Sequence, residues 1–296
     1  MTKEKNAGLG RTMLWAMVTA YTIALPHVIF IYDGIVKHFS KHVAGKVPIT
    51  IILVLGTVYI FAGFFMKTSP RHLVFVLPCS IIVYAVIKFE HNPNKHIHIP
   101  EYVILSWMLF RALSVDYKGG GIFALVFICA FMLGIVDEIE QGIYPDRFYG
   151  WKDMVINAAS SIIGILTIIG LKPGLSDDWT WLFSLKKYKG SIVTILWGAV
   201  GAVFMCTYLF HVKKDLAFWG VYPIWLMVWN STFLIFGAAV IVCLWKHGKK
   251  EHRIRENSNL DTNLITARLW VSCPLVILCI IHAHAIFIAT SGSLFL

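Results

Sequence analysis

Apolar residues gather into nine long runs separated by short polar connectors, at about 12–31, 48–66, 72–89, 99–113, 120–136, 154–171, 190–210, 218–245 and 270–289. A helix needs about 20 predominantly apolar residues to cross a bilayer, and most of the runs reach that length. They predict an all-α, polytopic transmembrane bundle of about nine spans. The fourth run is only about 15 residues, which suits a span enclosed by other helices or a re-entrant segment. The eighth is long enough to tilt.

Composition agrees. Of 296 residues, 58% are hydrophobic and 14% charged, with a mean hydropathy of +0.72. A soluble domain carries about 25% charged residues, so a soluble globular protein, a disordered chain and a disulfide-rich secreted module are all excluded. Nine spans consume roughly 180 residues at about 20 each and leave no room for a sizeable soluble domain. The net charge of +10 reads as topology charge, and no basic domain exists to hold a nucleic acid. Lys and Arg concentrate on the side of the N-terminus, as in Lys3, Lys5 and Arg11, Lys186 to Lys189, and the run from Lys246 to Arg255. That bias predicts an N-terminus inside and a C-terminus outside. The 246–255 run is expected as a solvated cytoplasmic loop, with attraction to anionic lipid as the alternative. The first run lacks a small-residue cleavage site after it and is expected to stay as a span.

Four segments follow. Residues 1–47 hold the first span and an amphipathic loop, and 48–171 hold the next five runs. Residues 172–189, with Pro173, Gly174, Trp179, Trp181, Lys186 and Lys187, read as an interfacial linker. Residues 190–296 form a three-span extension. The six cysteines lie inside apolar runs without CxxC or zinc spacing and are expected to serve packing.

Ionisable groups at membrane depth are costly and therefore informative. They cluster in two places. The fifth run ends in Asp137, Glu138 and Gln141, the connector holds Pro145 and Arg147, and the sixth run opens with Asp153 and Asn157. Asp137 and Gln141 are one helical turn apart, as are Asp153 and Asn157, with Gly164 two turns beyond Asn157. Two helices joined by so short a connector are antiparallel neighbours, so these polar ends meet at one membrane surface. Two readings stay open: a network of helix-end ion pairs, with Arg147 on Asp137 or Asp153 and Asn157 as interhelical glue, or a polar pocket at the outer face. The second cluster is Lys95, His98, Glu101 and Tyr102, around Pro100 in a first helical turn. His98, Glu101 and Tyr102 share a face, and Lys95 or His98 is expected to supply positive charge toward Asp137 and Glu138.

The pattern Lys95-x-x-His98-x-x-Glu101-Tyr102, followed by Leu105 and Arg111-Ala112-Leu113, resembles the first motif of VanZ-like membrane proteins. Asp137-Glu138-x-x-Gln141-x-x-x-Pro145-x-Arg147, then Asp153-x-x-x-Asn157 and Gly164, resembles the second. The glycine usually found shortly after that asparagine is Ser160 or Ser161 here. The resemblance covers about residues 48–171; residues 172–296 match nothing. It implies a small helical membrane domain and, from one founding member, a role in low-level teicoplanin resistance. It implies no established reaction.

Other chemistry is sparse. No GxSxG, HExxH or Walker A sequence is present. His38 and His42 are four apart without a third ligand in view, so no metal is expected. His27, His282 and His284 lie in apolar runs. His282 and His284 point to different faces and cannot both ligate one haem iron, though His27 with one of them could if the first and last spans touched. No cofactor is expected. The expectation for function is an envelope protein of the bacterial cytoplasmic membrane that binds or remodels a membrane lipid through Lys95, His98, Glu101, Tyr102, Asp137, Glu138, Gln141, Arg147, Asp153 and Asn157. The alternatives are an enzyme acting on a lipid head group, with Asp137 or Glu138 as base and His98 as acid, and a structural subunit that docks a membrane protein partner through residues 172–296.

Overall fold

A computed structural model describes residues 2–66, 70–142, 149–172, 176–214, 222–255 and 262–291. Among these the chain is all-helical, and eight helices are long and apolar enough to cross a membrane. The protein is a multi-pass helical membrane protein. The helices are α1 (Thr2–Ala24), α2 (Val28–His38), α3 (Lys41–Phe65), α4 (Arg71–Val74), α5 (Val76–Phe89), α6 (His98–Leu113), α7 (Ile122–Gln141), α8 (Trp151–Leu171), α9 (Trp181–Ser184), α10 (Lys189–Lys214), α11 (Ile224–Arg255) and α12 (Thr262–Ser291). They fall into two compact units. The first comprises Met1–Val115, Val126–Asp137 and Trp151–Leu175; the second comprises Asp116–Leu125, Glu138–Gly150 and Ser176–Leu296.

In the first unit, α1 and α2 form one long apolar element, Leu9–His38, interrupted by a 3₁₀ turn, Leu25–His27, that contains Pro26. Proline has no N–H to give the helix, which localises the interruption. Ser40 restarts the chain as α3 by accepting a hydrogen bond from the Val43 N–H. The break after α2 puts His38 and His42 on different helices. Helix α6 lies along α8, with α1 and α3 also against it. Its 16 residues span about 24 Å, short of the ~30 Å hydrocarbon layer, so it is not one of the eight. Most of its residues are buried against protein, so its length need not match the lipid. The short fourth run is therefore an enclosed helix. Val86, Ile99, Ile156 and Ile163 form the apolar core between α5, α6 and α8.

In the second unit, α12 packs against both α10 and α11, and α9 packs on α12. The connector before α7 turns at Gly119 and Gly121, whose φ values of 102° and 90° only glycine adopts without strain. The turn is locked by aromatic donors: Tyr117 Oη and Trp181 Nε1 both donate to the Gly120 carbonyl, and Trp270 Nε1 donates to Tyr117 Oη. Burial holds the Tyr117 phenol up at about 12. Helix α11 runs 32 residues, about 48 Å. It carries helix through 246–255, where a loop was predicted. Lys, Arg and Glu are good helix formers, and a helix leaving the bilayer does not stop where its hydrophobicity does.

Candidate functional site

The polar cluster of the first unit is built where α6 begins. Asn92 accepts from the Asn94 N–H, and Pro93 opens the 3₁₀ turn Pro93–Ile97, which runs directly into α6. Pro100 sits in the first turn of α6, where its missing N–H costs nothing. This entry puts Lys95 one turn ahead of His98, with Glu101 and Tyr102 a turn further on. Helix α8 supplies Asp153 and Asn157 from its first two turns, and α7 supplies Asp137. Two small residues let α6 and α8 close on each other. A Cβ added at Gly164 would lie 2.7 Å from Ser106 Cβ. Ser106 Oγ donates to Tyr102 O and also lies 3.4 Å from Ser161 O. Ser160 and Ser161 return their hydroxyls to Ile156 O and Asn157 O of their own helix. They therefore add no unsatisfied group to the seam.

Three polar pairs result. Lys95 Nζ donates to Asp153 Oδ2 at 2.7 Å. His98 Nδ1 lies 3.0 Å from Glu101 Oε2. Tyr102 Oη donates to Asp137 Oδ2 at 3.1 Å. His98, Glu101, Tyr102, Asp137, Asp153 and Asn157 are all buried. The Lys95 side chain is 32% exposed and marks the side from which solvent reaches the cluster. Phe89 and Trp151 meet edge to face at 5.8 Å, and Lys152 Nζ sits 5.6 Å from the Phe89 ring centre. Such rings suit the bilayer boundary. Tyr21, from α1, donates to the Glu101 backbone carbonyl at 3.0 Å. Nothing in its sequence surroundings marks it, because it sits three apolar runs and 80 residues away.

The structure thus brings together Lys95, His98, Glu101, Tyr102, Asp137, Asp153 and Asn157 within one unit. Lys95 or His98 was expected to supply positive charge toward Asp137 and Glu138; Lys95 Nζ bonds Asp153, and Tyr102 Oη donates to Asp137. Glu138 and Gln141 are buried and belong to the second unit. Arg147, expected between the two helix ends, lies outside the described residues. No group of three or more metal-ligating side chains occurs among the described residues.

The histidines of the apolar runs have other employment. His27 Nδ1 is bonded to Ile23 O within α1 and its 3₁₀ turn. In the second unit, His284 Nε2 lies 2.8 Å from Glu140 Oε1. His282 Nδ1 is 2.7 Å from Asn230 Oδ1 and its Nε2 is 2.9 Å from Gly198 O. Asn230 Nδ2 donates to Tyr222 Oη at 2.7 Å. Burial lifts the Tyr222 phenol above its ordinary range and does the same for Tyr149, which packs against Phe210.

The chain matches no family model, no curated protein and no solved structure.

Proposed function

We propose that this is a VanZ-like protein of the bacterial cytoplasmic membrane, with its N-terminus inside, that binds or remodels an envelope lipid or amphiphile at a polar pocket on the outer face. One observation carries the reading. A chain with only 14% charged residues buries three carboxylates and a histidine at one helix seam, with the partly exposed Lys95 paired to one of them. Burying charge in a membrane is expensive and goes with function. Lys95, half-exposed, and Arg147 meet the anionic part of the head group by charge-assisted hydrogen bonds; the carboxylates accept from its hydroxyl or amide donors. A role in glycopeptide resistance follows by resemblance. The test is native mass spectrometry of the detergent-purified protein. Wild type retains lipid and Arg147→Ala loses it; unchanged retention sinks the role of Arg147.

A second reading, catalysis on a lipid head group, draws on the His98–Glu101 pair, a hydrogen-bonded acid–base arrangement. Lipid turnover that disappears in His98→Gln separates it from binding alone.

A further inference from the structure

We infer that Glu140 and His284 form a proton-binding site in the second unit, and that the proton it holds fastens the end of α12 to the end of α7. The site shares no residue with the cluster of the first unit and does not depend on the lipid-binding reading. Glu140 is one residue from the end of its apolar span, Gln141, and His284 is three from the end of its own, Phe287. Ionisable residues within membrane spans are costly and mark ion and proton chemistry. The ring geometry carries the inference. His284 Nδ1 lies 2.8 Å from Ile280 O, and its Nε2 lies 2.8 Å from Glu140 Oε1. A backbone carbonyl and a carboxylate only accept, whereas a neutral imidazole has one N–H. Turning the ring over puts carbon atoms against both oxygens. Both bonds therefore form only when the ring carries a second hydrogen, as imidazolium on carboxylate. When that proton leaves to water, the Nε2 lone pair faces a carboxylate oxygen and the link between the helices is lost.

Other histidines make the contrast. His38, His211 and His247 also set Nδ1 on the carbonyl four residues back, and a neutral ring supplies that single bond. The His284 and Glu140 side chains are 27% and 25% exposed, so the proton has a way in and out. Among the described residues, Glu140 is the charged group acting on His284; Asp137 and Glu138 on α7 and His211 on α10 bond neither member of the pair. Asp146 and Arg147 after α7, and Lys213 and Lys214 at the end of α10, lie outside the described side chains. An ion pair between Arg147 and Glu140 would still leave the ring facing two acceptors and needing its second hydrogen.

The experiment uses the full-length protein in phosphatidylcholine vesicles, with isotope-labelled alanine and histidine. Ala283–His284 is the chain's single Ala–His step, so solid-state NMR identifies this ring without a mutation. At neutral pH both ring nitrogens of His284 should carry hydrogen; one bare nitrogen overturns the proposal. Glu140→Gln then tests the link, because its amide offers Nε2 an N–H and lets a neutral ring keep both bonds. Raising the pH until His284 loses its proton should speed backbone hydrogen exchange in the last turns of α12 about tenfold beyond the intrinsic rise, the scale of one charge-assisted hydrogen bond. In Glu140→Gln that extra acceleration should be absent. No extra acceleration in wild type, or the same acceleration in both proteins, overturns the fastening. The wild-type spectra and exchange decide the matter by themselves if the variant fails to fold.

Discussion

Each unit buries a polar network, and the two are made differently. In the first unit the groups are charged: Lys95 with Asp153, His98 with Glu101. In the second, the run Tyr222, Asn230, His282 and the Gly198 carbonyl is built from amide, imidazole and phenol groups. That run closes on itself. The His282 ring lies between two oxygen atoms while a neutral imidazole has one N–H. Turning the Asn230 amide end for end supplies the second donor without moving a heavy atom, and Tyr222 then donates to the amide oxygen. Beside it, Trp229 Nε1 is buried without a hydrogen-bond partner among the described residues. The first unit instead leaves carboxylate oxygens unmatched. A neutral network of matched donors and acceptors holds helices together; a charged network with carboxylate oxygens lacking donors is what the proposed binding role would use.

The strongest test of this contrast is Lys95→Met. It strands Asp153 as a buried carboxylate without its cation, which costs about 3–5 kcal/mol, and thermal unfolding in detergent should fall accordingly. An unchanged midpoint would show that the pair contributes no stability and that the first network is not charge-dependent.

Gly164→Val attacks the seam that holds the cluster rather than its charges. The new side chain meets Ser106 and should cost about 1–3 kcal/mol by overpacking. Lipid retention should fall with it, since Asp153 and Asn157 move with α8. Retention at the wild-type level would separate the cluster from the seam.

In the second unit, Asn230→Leu alone strands His282 Nδ1 and should cost about 1–3 kcal/mol. The double variant Asn230→Leu with His282→Leu removes both partners and should cost less than the single one. Additive losses in that double-mutant cycle would mean the network is not a closed pair. Neither variant should change lipid retention.

The smallest effect is expected at Asp178, whose carboxylate accepts from the Thr180 N–H at 2.9 Å. That bond lowers its pKa from 3.8. The sign follows: the stabilisation is present above the unfolded value and is lost as pH falls through the folded one. Asp178→Asn should lower the unfolding midpoint slightly at neutral pH, and the difference should vanish in acid; a difference that persisted there would assign it to packing.

Much of this was legible in order along the chain. Runs of about 20 apolar residues leave a backbone in lipid no choice but helix, so the spans follow from the pattern. The three- and four-residue spacings of His98, Glu101 and Tyr102, and of Asp153 and Asn157, fix shared faces by helical geometry alone. Gly164 marks a close approach for the same reason. What the pattern could not say is which faces meet. That Lys95 takes Asp153, that Tyr102 takes Asp137, and that Tyr21 reaches Glu101 from 80 residues away depends on how α1, α6, α7 and α8 pack. The same packing lets α6 stand at 16 residues, because an enclosed helix answers to its neighbours and not to bilayer thickness. Which carboxylate oxygens are left without donors is likewise decided by tertiary structure, since hydrogen-bond satisfaction is a property of assembled helices and not of any one of them.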